Sequence, residues 1–107
     1  LKQNFGKTFQ EETQIQASRQ LIYHAAWLKD NNKDVVKDAA IAKLFSSESA
    51  MKITTEAIQI LGGYGYIKEY NVERFFRDAK ILTIGEGTSE VQKIVIAREI
   101  LKKYINK

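Results

Sequence analysis

Residues 39–62 read AAIAKLFSSESAMKITTEAIQILG. Ala39, Ala42, Ser46, Ala50, Ile53, Ala57 and the pair Ile60/Leu61 recur at steps of three and four. That spacing lines up side chains on one face of an α-helix, and it predicts the longest helix of the chain. Gly62 ends it where a C′ residue belongs, because glycine takes the left-handed conformation there at little cost. Ala39, Ala42, Ser46 and Ala50 are small, so a neighbouring helix can approach this face closely.

The same periodicity continues on both sides. Upstream, Ile15, Ser18, Ile22, Ala25 and Trp27/Leu28 form one stripe. Asn31-Asn32 makes a polar turn, with Asn32 the expected N-cap of the next helix. Downstream, a shorter helix is expected from an N-cap at Asn71, carrying Val72, Phe75, Phe76 and Ala79. A last helix follows Gly87, where Ser89-Glu90-Val91-Gln92 fits a capping box. Val91, Ile94/Val95, Arg98, Leu101 and Ile105 form its stripe. The only alternating run, Lys80–Ile84, is too short for a strand. The fold expected is all-α, an antiparallel helix bundle.

Composition sets the outer bounds. The 107 residues suit one domain, and 44% apolar with 28% charged is ordinary for a globular chain. No run of about 18 apolar residues is present, so no membrane span is expected. The opening LKQNFGKTFQEE has no secretory-signal pattern. No cysteine and a single histidine exclude disulfides, thiolate sites and a multi-His metal site within the chain. The net charge of +4 comes from dispersed residues, with Lys102-Lys103 the only basic doublet, so no nucleic-acid stripe is expected and anionic cofactor phosphates suit it better.

There is no proline, and five of six glycines fall in Gly62-Gly63-Tyr64-Gly65 and Gly85-Glu86-Gly87. The first segment either cradles a phosphate with its amides or simply caps a helix; it follows a helix rather than a strand, which favours the cap. In the second, Glu86 has a carboxylate unhindered by its neighbours, beside a helix N-terminus that stabilises developing negative charge. The plain alternative is an acidic residue complementing the helix dipole. Arg77-Asp78 either orients this loop or is a solvated pair. Arg98 is read as a bundle salt bridge sooner than a site residue, His24 as packing or surface, and Phe75-Phe76 and Trp27 as core or interface aromatics.

In combination the segments are more specific. Gln59 to Tyr66 (QILGGYGY), Glu69-Tyr70, Arg77 to Lys80 (RDAK), Gly85 to Gln92 (GEGTSEVQ) and Ala97-Arg98 resemble, in order and interval, the C-terminal domain of the acyl-CoA dehydrogenases. Phe5-Gly6-Lys7 resembles that family's FGK turn, and Tyr23 to Trp27 (YHAAW) its second-helix segment. The resemblance is strongest from Ala39 to Arg98, and it makes residues 1–107 a partial C-terminal helical domain lacking the family's first long helix. Lys2 replaces an arginine of the pattern, and the stretch from Lys7 to Tyr23 is shorter by about ten or eleven residues, some three helical turns, so the face stays in phase.

The resemblance implies an FAD-dependent oxidoreductase of three domains that converts acyl-CoA thioesters to trans-2-enoyl-CoA. Glu86 is then the base for the α-proton, and its backbone N–H, with a flavin ribityl hydroxyl, holds the thioester oxygen. Gly87 lies against the substrate. Gln59, Gly62 and Gly63 contact the FAD pyrophosphate and adenine side from a partner subunit. Thr88 and Glu90 stand at further FAD positions, Glu90 where the family often has Gln, and Phe5 matches an aromatic near the flavin nucleotide. Implied partners are acyl-CoA, a second copy of the chain in a dimer or tetramer, and an electron-transferring flavoprotein. Implied location is the cytoplasm, or the mitochondrial matrix in a eukaryote. Other readings stay open: a non-catalytic stand-alone oligomerisation or interaction domain derived from that family, and a coenzyme A or nucleotide binder without redox chemistry. With its first helix missing, the bundle is expected to expose an apolar groove and to dimerise or swap.

Overall fold

A computed structural model describes the backbone of residues 2–61, 72–85 and 87–105, and the side chains of 9–60, 73–85 and 87–105. Four α-helices account for almost all of it: α1 (Lys2–Asp30), α2 (Val36–Leu61), α3 (Val72–Leu82) and α4 (Ser89–Ile105). No strand occurs among the described residues, so the all-α expectation holds. The predicted caps at Gly62 and Asn71, and the segment 63–70, lie outside the described residues.

Helix α2 is the hub. Each of α1, α3 and α4 packs on it, and these three do not pack on one another among the described residues. The small side chains explain how one helix can serve three neighbours. Ala40, Ala42, Ser47 and Ser49 are buried, which brings backbones close, and Ile58 is buried near the C-terminal end. The stripe is offset by one at its start, because Ala39 is exposed and Ala40 takes the inner place. Hydroxyls inside the helix do not go unpaired. Ser46 Oγ donates to the Ala42 carbonyl at 2.6 Å, Thr54 Oγ1 to Ala50 at 2.8 Å and Thr55 Oγ1 to Met51 at 2.7 Å. Local back-bonding of this kind lets Ser and Thr sit in a helix interior without external partners.

Helix ends correct two of the expected caps. Asn32 does not open α2; it closes α1. Its φ is 56°, its N–H donates to the Lys29 carbonyl at 3.1 Å, and the Lys33 N–H donates to Leu28 at 2.9 Å. These two bonds make a Schellman motif with Asn at C′, a residue that tolerates the left-handed region better than most. The start of α2 is covered instead by Asp34, whose Oδ1 accepts from the Val36 N–H at 3.2 Å. At α4 the cap is Thr88 and not Ser89: Thr88 Oγ1 accepts from the Val91 N–H at 3.1 Å. With Thr88 at the cap, the third helical position is Val91, so no reciprocal box forms. The Phe5-Gly6-Lys7 segment, expected as a turn, lies within α1. One glycine costs a helix only about 1 kcal/mol, and no proline is present to end it.

The outer helices cover only part of each predicted stripe. On α1, Ala25 is buried and Ala17, Ser18, Leu21 and Leu28 are partly covered, whereas Ile15, Ile22 and Trp27 are exposed. On α4, Gln92, Val95, Ile96 and Glu99 turn toward α2, while Val91, Ile94, Leu101 and Ile105 stand exposed, the last at 78%. On α3, Ala79 is buried and Phe76 partly so, but Phe75 is exposed. The result is an open assembly of 54 × 29 × 25 Å with a radius of gyration of 16.6 Å. A compact chain of this length has about 13 Å. Its surface is 8178 Å², against roughly 6,100 Å² for a folded monomer of 12.3 kDa.

Candidate functional site: the turn between the third and fourth helices

The turn from Thr83 to Thr88 is held to the bundle by a few specific bonds. Helix α3 ends in overlapping turns, with Thr83 N–H donating to Lys80 at 3.1 Å and Gly85 N–H to Ile81 at 2.7 Å. The Ser89 N–H reaches back to the Thr83 carbonyl at 3.2 Å, which closes the turn from the other side. Gly87 has a φ of +107°, a region L side chains rarely adopt. A Cβ there would also stand 2.6 Å from Gln92 Nε2. The backbone conformation is what favours glycine at 87, and the approach of the flexible Gln92 side chain adds a smaller steric cost. Gly85 is tighter than ordinary, since a Cβ would meet the Ile81 carbonyl at 3.2 Å.

A residue from the middle of α2 anchors this turn. Lys43 Nζ donates to the Gly85 carbonyl at 2.6 Å and to the Gly87 carbonyl at 2.5 Å. Position 86, between those two carbonyls, lies outside the described residues, as do Gly62 and Gly63. Sequence reasoning missed Lys43. The signal was present, however: it is the one charged residue between Ala39 and Ser47, in a stretch otherwise small or apolar.

Beside the turn, α2, the end of α3 and the start of α4 enclose an open groove of about 660 Å³. Lys52 and Lys80 supply ammonium groups, and Thr55, Thr83, Thr88 and Ser89 supply hydroxyls. Glu48, Glu56 and Glu90 add carboxylates, and Met51 and Ile84 add apolar surface. Thr88 and Glu90, both singled out from sequence, therefore line the same groove; Glu90 also pairs with Lys93 at 3.5 Å. Gln59 is exposed one turn beyond Thr55 and Glu56, near the end of α2. Phe5 lies on α1, and its side chain is outside the described residues. The groove's size is within the range of about 300–1,000 Å³ usual for cofactor sites. Lysines, hydroxyls and a helix N-terminus suit phosphate, and carboxylates accept from ribose-like hydroxyls. Two ammonium groups face three carboxylates, so it is the hydroxyls and the start of α4, with Lys52 and Lys80, that could meet a phosphate-bearing, polyhydroxylated group.

The other candidates resolve to structure. Arg77 pairs with Glu73 at 3.4 Å and Arg74 with Asp78 at 3.8 Å, exposed i,i+4 pairs on α3 that do not reach the turn. Arg98 is exposed and forms no ion pair with a described residue. His24 stacks on Trp27 with ring centroids 6.4 Å apart, and its Nε2 lies 3.7 Å from Asp38 Oδ1, so it joins α1 to the start of α2. No cluster of three metal-ligating side chains exists among the described residues, and no described helix is long and apolar enough to cross a membrane.

A helical hub, a glycine-bracketed turn and an adjoining polar groove are also what the family model described as "Acyl-CoA dehydrogenase, C-terminal domain" covers; it matches residues 6–101. The chain belongs to the acyl-CoA dehydrogenase family. A probable acyl-CoA dehydrogenase of Bacillus subtilis, YngJ, is 58% identical over 89 residues, 83% of this chain and 23% of its own length. The structure of butyryl-CoA dehydrogenase from Megasphaera elsdenii superposes with a TM-score of 0.81 at 53% identity, over 84% of this chain and 24% of that one. An FAD complex of PigA superposes with a TM-score of 0.79 at 31% identity, over 83% of this chain and 23% of that one. The chain thus spans about a quarter of the length of these acyl-CoA dehydrogenase relatives.

Proposed function

We propose that this chain is the base-bearing part of an FAD-dependent oxidoreductase that dehydrogenates acyl-CoA thioesters between Cα and Cβ, giving trans-2-enoyl-CoA. What supports the reading is the turn itself, fastened to the hub helix at Gly85 and Gly87, the two residues that flank Glu86 in the sequence. Glu86 takes the α-proton, and the Cα–H bonding pair becomes the new double bond as the β-hydride departs. FAD, when bound, supplies the hydride acceptor. Closure of substrate over Glu86 removes water, which raises the basicity of its carboxylate toward a weakly acidic C–H.

The chain's other residues bind and orient. Thr88 and Glu90 hold cofactor hydroxyls in the groove, and Lys52 and Lys80 complement phosphate charge. Gln59, Gly62 and Gly63 serve the pyrophosphate and adenine side of a partner's cofactor, and Phe5 packs near the flavin nucleotide. Gly87 permits close approach of substrate, because it carries no side chain and its φ of +107° disfavours one. An electron-transferring flavoprotein receives the electrons, and a cytoplasmic or matrix setting suits such a reaction. A second reading, an oligomerisation domain without catalysis, draws support from the exposed apolar face of α4. The two separate on one experiment. In the enzyme expressed from its complete reading frame, Glu86→Gln is expected to lower acyl-CoA turnover by about 10²–10⁴-fold, the usual contribution of a positioned base. FAD absorbance should be retained. Unchanged turnover ends the base assignment.

A further inference from the structure

We infer that Lys43 is a positioning residue for the reaction, fixing Glu86 by holding the carbonyls on both sides of it; the inference rests on the reading of Glu86 as the base. Lys43 comes from the hub helix, more than forty positions earlier in the chain than the carbonyls it meets. Its ammonium carries three donors on one nitrogen, and two of them converge on the Gly85 and Gly87 oxygens. A point donor of this kind can gather two carbonyls separated by a single residue, which a planar guanidinium fork does less well.

The surroundings make this more than an incidental surface contact. Lys43 is half-buried on the small-residue segment of α2, next to buried Ala42 and one turn before buried Ser47. Drawing the ammonium head away from water there is unfavourable unless it finds acceptors, while the apolar stem packs at no such cost. The two carbonyls lie between α3 and α4, outside the hydrogen-bond ladder of either helix. The glycines then have a joint explanation. Their freedom from side chains leaves Glu86 unhindered, but it would also leave the backbone loose. The Lys43 bonds remove that looseness at both flanks, and Thr88 and Ser89 fix the exit into α4. A base has to stand within a fraction of an ångström of its proton, and misplacement by about 1 Å costs roughly 100-fold in rate.

The test pairs Lys43→Met, Lys43→Gln and Lys43→Arg with Glu86→Gln and the Lys43→Met/Glu86→Gln double variant. On the 107-residue chain, Lys43→Met should raise amide exchange at Val91 and Gln92 by about tenfold, the value of a hydrogen bond to a charged group, with α1 amides unchanged. In the FAD-loaded full-length enzyme, kcat should fall about 100-fold with KM for acyl-CoA nearly unchanged, and the isotope effect from α-deuterated substrate should grow. Lys43→Arg should recover part of the loss, and Lys43→Met should add nothing on top of Glu86→Gln. If Lys43→Met does not fold, Lys43→Gln carries the same expectations. Unchanged exchange at 91–92, or a fall in activity matched by lost FAD with no change in isotope effect, overturns the positioning role. Full activity of Glu86→Gln would instead overturn the base reading and leave the exchange result standing.

Discussion

Gly87→Ala tests the geometry of the turn most directly, because the structure separates two costs at that position. The first is conformational. A φ of +107° lies beyond the ordinary left-handed well, and an L residue held there costs about 1–3 kcal/mol. The second is steric, a Cβ 2.6 Å from Gln92 Nε2. That atom is the far end of a flexible side chain, so rotation of Gln92 relieves the clash for a few tenths of a kcal/mol. The backbone cost should therefore dominate. A cycle of Gly87→Ala, Gln92→Ala and the double variant isolates the pairwise part. Urea unfolding followed by circular dichroism should show Gly87→Ala destabilised by about 1–3 kcal/mol, and Gln92→Ala should rescue less than a third of that. If the turn opens locally before the bundle melts, the same cost appears as roughly 5- to 160-fold faster exchange at the Val91 amide. A neutral Gly87→Ala, or a complete rescue by Gln92→Ala, refutes the argument that backbone conformation demands glycine there.

Two further outcomes follow from the same structure. Thr88→Ala removes the side chain that accepts the Val91 N–H and should cost about 1 kcal/mol of stability, while Thr88→Ser should be close to neutral; equal stability of Ala and Ser variants in urea melts would return the cap to Ser89. The chain alone should also run above its 12.3 kDa monomer mass by light scattering, since it exposes about 2,000 Å² more than a folded monomer of that size, over twice the roughly 800 Å² that one partner gives to a standard interface. Ile94→Lys with Leu101→Lys, on the exposed face of α4, should shift the mass toward the monomer; a monomeric wild-type chain would refute this.

What the sequence determined by itself was the set of helices, their order and the turn that carries Glu86. Periodicity of three and four along 39–61 and glycine at 85 and 87 are local signals, and local backbone energetics act on them directly. The family resemblance rested on the same local words, and the match over residues 6–101 bears it out. The neighbouring-residue choices were less determinate. Thr88 and Ser89 are both good caps, and only the φ of Gly87 and the Ser89 bond to Thr83 decide where α4 begins. Asn32 suits either end of a helix, and its left-handed φ assigns it to the close of α1.

Tertiary structure alone decided which faces are covered. Both α1 and α4 carry apolar residues on more than one side, so covering Val95 and Ile96 in place of Ile94 and Leu101 still puts apolar side chains on the buried face. Only the position of α2 breaks that tie. Lys43 stands out as a lone charge in a small and apolar stretch, but its partners at Gly85 and Gly87 could not be read in one dimension. A lysine more than forty residues before a glycine pair has no spacing signature; the bond exists because α2 passes beneath the turn and its small side chains let the chain come near.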